Sequence, residues 1–250
     1  MNDQNSRGTA QLGVGKQIIL HLGPGLMAAG LFVLLNAILP ADRFPPLLLL
    51  QIALPALILA ELAIVLVVGR RETGPFSFGK VIRFTARVKW WQLILLSAAS
   101  IGWVVLVYST IGDALNRFML SAFFEWLPGY FQLGGVIENP GLYSRGVRLS
   151  LWILTLIFGS LLGPFVEELY FRGFLLPRMA YLGWAAPLVG SLLFVIYHFW
   201  TPWLIPLRLL AILPMVYFVW WKKSFHIGVV AHCTLNLLSD VILTVPILLV

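Results

Sequence analysis

The chain has 250 residues, of which 60% are hydrophobic and only 11% charged, and its mean hydropathy is +0.93. Soluble domains carry about 25% charged residues, so this composition excludes a soluble globule and points to an integral, multi-pass membrane protein. The net charge of +7 does not indicate a nucleic-acid partner, because the basic residues collect at the ends of apolar segments, as positive-inside sorting requires.

Residues 1–15 are polar and Gly-rich and read as a flexible cytoplasmic tail with no signal peptide. A spanning helix needs about 20 apolar residues. Segments 18–39, 47–69, 91–111, 149–166, 184–200, 203–221 and 225–249 qualify. Prolines 40, 45 and 46 divide the first two, Thr201-Pro202 the fifth from the sixth, and Lys222-Lys223 the sixth from the seventh. Lipid leaves an open chain only the helix as a way to satisfy its backbone. The expected fold is therefore an all-α transmembrane bundle of about seven to eight spans with a polar intramembrane cavity.

Charge gives the expected orientation. The loop 70–90 carries Arg70, Arg71, Lys80, Arg83, Arg87 and Lys89 against Glu72 alone, which makes it cytoplasmic. Counting outward from it puts the N-terminus, Arg172, Arg178, Lys222 and Lys223 on the same side. Segment 112–148 is too short and too charged for a comfortable span, with Asp113, Arg117 and Glu125 among its aromatics. An interfacial amphipathic helix is the first expectation there and a re-entrant piece the second.

Ionisable residues inside a bilayer mark function by default. The most informative stretch is Glu167-Glu168-Leu-Tyr-Phe-Arg172. Positions i and i+4 share a helical face, so Glu168 and Arg172 are natural partners. Glu167 points elsewhere and is free to act as a general base; alternatively, all three form one buried ionic network. His198 closes Phe194-Val-Ile-Tyr-His198 and is either an interfacial histidine of an aromatic belt or a partner of the acid. His232 and Asn236 stack on one face and both donate hydrogen bonds. Such a pair could hold an oxyanion or simply glue helices together. Asp240 continues that face and is expected to pair with Arg208. Glu61 reads as a satisfied buried acid, His21 and His226 as interfacial, and the single Cys233 as packing.

These three motifs, in this order, resemble the CPBP family of intramembrane proteases, the family of the CAAX-prenyl endopeptidase. The resemblance covers roughly residues 150–240. It implies that Glu167 activates water with His198, that His232 and Asn236 stabilise the oxyanion, and that Arg172 with Glu168 is structural. It divides the chain into the tail 1–15, N-terminal helices and amphipathic segment 16–148, and a CPBP-like catalytic core 149–250. No cofactor is expected under a metal-free glutamate mechanism; zinc held by Glu167, His198 and His232 is the alternative. The implied partners are membrane lipid and a peptide or protein substrate, such as a lipidated or C-terminal tail. In a bacterial source the site of action would be the inner (plasma) membrane. A non-catalytic scaffold or immunity-type protein and a proton-relaying transporter are the competing classes. The transporter predicts repeated halves, and no repeat is visible. One difficulty stands: His198 falls toward the outer end of its span while Glu167 and His232 fall in the inner half. The motifs meet only if the fifth helix tilts or starts deeper, or if Gly163-Pro164 breaks the fourth segment.

Overall fold

The computed structural model describes residues 10–249. It is all-helical, with no strand among the described residues beyond an isolated bridge between Thr85 and Ser224. Among the described residues, six helical stretches are long and apolar enough to cross a membrane. Residues 1–9 of the expected tail lie outside the described residues. Residues just after them are anchored: Leu12 N–H donates to the Arg178 carbonyl at 3.2 Å.

Helix α1 runs Val14–Ile38 and α2 Pro46–Thr73. The prolines between them stop one helix and start the next, Pro46 at the first position of α2, where its missing N–H costs nothing. α1 begins a turn earlier than expected. His21 is therefore buried against the Phe171 ring, 5.5 Å between centroids, and is not interfacial.

Helix α3 is one continuous stretch, Trp90–Phe123. Its 34 residues span about 51 Å, well beyond the ~30 Å of a hydrocarbon core. The stretch expected to start a separate amphipathic helix at 112 is its extension, joined through a π-turn at Tyr108–Gly112. Nothing in Asp113–Phe123 is buried. The chain then returns through single-turn helices that seat Phe131 and Val136 in the core.

Helix α4 (145–175) is the centre of the bundle. It packs against α2 on one side and against α7, His226–Leu243, on the other. It does not break at Gly163-Pro164. Two π-helical stretches, Thr155–Leu162 and Glu168–Leu175, carry it past the proline and keep it helical. A tight 3-10 stretch, Leu176–Ala185, with non-helical backbone at Met179 and Gly183, turns the chain into α5, Ala186–Ile196. The segments expected as fourth and fifth spans are thus parts of one kinked helical run, Arg145–Ile196. α6, Ile205–Lys222, ends on Lys223 in the left-handed region and packs on α5, α3 and α7.

The inward faces build one main core from α1, α2, α4 and α5, including Phe32, Leu49, Leu57, Tyr170, Phe174 and Tyr197. Large apolar side chains such as Ile19, Leu59, Trp90 and Ile242 point outward and are well exposed. A soluble monomer does not tolerate that surface; a lipid-facing bundle requires it.

Candidate active site

The π-turns of α4 set up the site. Gly163 N–H donates to Phe158, five residues back, instead of to Gly159. Pro164 has no proton to offer. The Gly159 carbonyl is left without its usual helical donor, and Asn236 Nδ2 of α7 donates to it at 2.9 Å. Ser160 Oγ returns the favour to the Asn236 carbonyl at 3.3 Å. A side chain at 163 would run into the Phe158 carbonyl, so glycine is required there. A local defect in one helix thereby fixes the Asn236 amide on its neighbour.

One turn further along α4 come the two acids. Glu168 is fully enclosed, and Arg172 Nε lies 3.3 Å from its Oε2. That contact pairs the charges but is too poorly aligned to be a hydrogen bond, since neither Oε2 nor the two Nη atoms of Arg172 has a hydrogen-bond partner. The guanidinium instead lies over the Phe194 ring, 4.0 Å from its centroid, a favourable stacking for a desolvated cation. The other oxygen of Glu168 accepts from His232 Nδ1 at 3.0 Å. Glu168 can approach α7 this closely because position 228 is glycine; a Cβ there would collide with Glu168 Oε2.

Glu167 turns to a different wall, as adjacent helical residues do. Its Oε2 is 3.9 Å from His232 Nε2. Its Oε1 accepts from the Tyr197 hydroxyl at 3.3 Å, and the same hydroxyl lies 2.7 Å from Glu61 Oε1 on α2. His198 follows Tyr197 at the end of α5. Its Nδ1 is fixed on the Phe194 carbonyl at 2.9 Å, and its ring is wedged between Tyr197 and Trp200.

Glu167, His198, His232 and Asn236 line one cavity of about 230 Å³, together with Gln51 and Arg208. The motifs meet on this cavity although α5 is 11 residues long, about 16 Å. The preceding 3-10 stretch is itself buried in its first half. His198, where 197–204 turns back into α6, lines the same cavity as Glu167 and His232.

Arg208 and Asp240 do not pair. Arg208 Nη1 donates to Thr201 Oγ1 at 2.6 Å and faces the cavity, whereas Asp240 accepts from Thr244 and lines a second cavity toward α4. Antiparallel neighbours share a face only in part, and the two residues lie on diverging sides of α6 and α7. Glu61 is only half satisfied, since its Oε2 has no partner. Cys233 lies off the cavity, its Sγ directed at the Leu161 carbonyl 3.7 Å away. Tyr197, Gln51 and Arg208 join the site without a motif to announce them.

A family model described as type II CAAX prenyl endopeptidase Rce1-like matches residues 149–238. This segment is similar to Rce1-like domains. It contains both glutamates, Arg172, His198, His232 and Asn236, and it leaves α1, α2 and α3 outside. Neither the curated proteins nor the solved structures include a match to the chain.

Among the described residues, no three His, Cys, Asp or Glu side chains stand together in a way that would hold a metal ion. His232 Nδ1 is engaged by Glu168 and His198 Nδ1 by a backbone carbonyl. These contacts orient the two imidazoles through Nδ1.

Proposed function

We propose that the protein is an intramembrane endopeptidase in which Glu167 activates water. The observation that carries this reading is the meeting of all four motif side chains in one cavity between the Rce1-like segment and α2. A water held between Glu167 and His198 gives its proton to the Glu167 carboxylate as its oxygen attacks the scissile carbonyl. His232 and Asn236 face the oxygen that gains the negative charge. Asn236 has one N–H on Gly159 and a second to offer. His232 donates Nδ1–H to Glu168, so it presents a proton at Nε2 only as the imidazolium. The proton on Glu167 then passes to the leaving amine, the C–N bond breaks, and a free acid and a free amine result.

The substrate class follows from the setting. A peptide segment must enter a cavity walled by apolar helices, so a lipidated or otherwise membrane-associated C-terminal tail fits. The basic ends of α2, α6 and the 74–89 loop support a cytoplasmic placement of that end of the bundle, with the N-terminus on the same side.

The test is cleavage of a panel of lipidated and helical tail peptides in proteoliposomes. Glu167→Gln should lower kcat by about 10²–10⁴-fold, the usual scale of a positioned base, with folding and insertion intact. A strong chelator should leave the wild type unchanged. Retained activity in Glu167→Gln removes Glu167 as the base; loss on chelation returns the zinc mechanism.

A further inference from the structure

Glu61 stands outside the Rce1-like domain, on α2, and is completely enclosed. No described Lys or Arg forms an ion pair with it, and its Oε2 has no partner at all. Its one hydrogen bond among the described residues, Oε1 to the Tyr197 hydroxyl at 2.7 Å, is the shorter half of a chain that continues 3.3 Å to Glu167 Oε1.

Hydrogen counting constrains this chain. Two oxygen–oxygen contacts need two hydrogens, and a tyrosine hydroxyl supplies one. A carboxyl must supply the other. If Glu167 supplied it, Glu167 would enter the reaction already protonated and could not act as a base. If Glu61 supplies it, the chain runs from the Glu61 carboxylic acid to the Tyr197 oxygen, and from the Tyr197 hydroxyl to the Glu167 carboxylate. The surroundings favour this direction. Glu167 lines the cavity and faces His232 Nε2, with His198 and Arg208 on the same cavity. Glu168 and Arg172 stand behind it on α4. Glu61 hydrogen-bonds to Tyr197 and makes no ion pair among the described residues, with Glu167 and Arg172 the nearby charges, so a bare carboxylate there has little to replace its water.

We propose that Glu61 is a positioning residue that acts through Tyr197. It carries a proton, so that the single hydroxyl hydrogen of Tyr197 is directed at Glu167. That bond pins Glu167 Oε1 and leaves Oε2 turned to the cavity and the attacking water. The inference rests on the reading of Glu167 as the base.

Two measurements test it. The first needs no substrate. The infrared carbonyl band of a neutral carboxylic acid should be present in the full-length wild-type protein in lipid and lost in Glu61→Gln. Its absence from the wild type overturns the proposal, whatever becomes of the protease reading. The second uses kinetics in proteoliposomes, run after Glu167→Gln has been shown inactive and wild type active. Glu61→Leu and Tyr197→Phe should each lower kcat about 10–100-fold with KM changed less than about threefold, and the double variant should be no worse than the poorer single one. Glu61→Gln, which still donates one hydrogen to the Tyr197 oxygen, should recover most of the loss seen in Glu61→Leu and restore its pH profile. Additive losses, or glutamine as poor as leucine, overturn the positioning role. A wild type that cleaves no peptide, or an active Glu167→Gln, counts against the protease reading instead and leaves the infrared result to decide this one.

Discussion

At the scale of single residues, Glu168 holds the site together more than its structural label suggests. One oxygen faces Arg172 and the other accepts from His232. The first contact offsets a buried cation, and the second fixes which nitrogen of His232 reaches the cavity. Partners of this kind typically govern 10–100-fold in activity at sites where an imidazole must be oriented. Glu168→Gln keeps the shape but removes the negative charge. It should cost about 10–100-fold in kcat, with KM little changed. It should also destabilise the protein by about 3 kcal/mol, the order expected when one half of a buried pair is removed. Steady-state kinetics and thermal unfolding in detergent read the two losses separately; normal kcat with lowered stability would show that His232 does not depend on Glu168. The spacing of Glu168 and Arg172, and of His232 and Asn236, was legible in the sequence because helical faces follow from residue number alone. Tyr197 was not, although it sits next to His198. Its importance comes from Glu61, more than a hundred residues away, and only packing brings α2 to α5. The expected Arg208–Asp240 pair failed for the same reason. Sequence gives the face each residue occupies on its own helix, not which neighbour that face meets.

At the scale of elements, α4 and α7 form the working pair, and their separation is set by small residues. Gly228 lies one turn before His232 on α7, directly over the Glu168 carboxylate. Gly228→Ala would place a methyl group where Glu168 Oε2 now sits. Either α7 moves outward or the carboxylate swings away, and in both cases the 3.0 Å link to His232 is lost. The expected outcome is a loss of activity comparable to that of Glu168→Gln, together with destabilisation of about 1–3 kcal/mol, the usual cost of overpacking. An alanine variant with wild-type kinetics would mean that the helices have slack at this contact. The helices themselves were readable from apolar length, but their ends and irregularities were less so. Gly163-Pro164 suggested a break in α4, yet the helix continues, because a π-turn removes the need for the proline's missing donor and Asn236 takes up the freed carbonyl. Periodicity near 3.6 cannot reveal a one-residue widening. Length and charge likewise set 112–148 apart as a separate element, whereas its first part, to Phe123, runs on from α3.

At the scale of the whole molecule, the basic segments that suggested an orientation are gathered at one end of the bundle. Arg178 is the joint of that end. It is completely buried, pairs with Glu72 at the end of α2 through Nη2 at 2.6 Å and Nε at 3.3 Å, and donates Nη1 to the Val81 and Phe174 carbonyls. One side chain thus ties α2, the 74–89 loop and the end of α4. Around it Arg83 N–H meets the Gly173 carbonyl, Ala86 N–H the Lys223 carbonyl and Phe225 N–H the Phe84 carbonyl. These backbone links hold the loop between α4 and α7, at the end from which both helices carry their acids and imidazole. Removing the arginine leaves two carbonyls and a carboxylate without their donor. Removing Glu72 leaves a guanidinium that keeps two carbonyls, and Glu72 itself is about one-fifth exposed and easily replaced by water. Arg178→Met should therefore cost about 3–5 kcal/mol, which at roughly 2–4 °C per kcal/mol for a chain of this size lowers the unfolding midpoint by about 6–20 °C. Glu72→Gln should cost clearly less. The double variant should fall near Arg178→Met alone, since the two residues act as one contact. Thermal unfolding of all three in the same detergent checks this order; equal and additive losses from the two single variants would show that Arg178 and Glu72 stabilise the bundle independently, and that this end is not closed by a single joint.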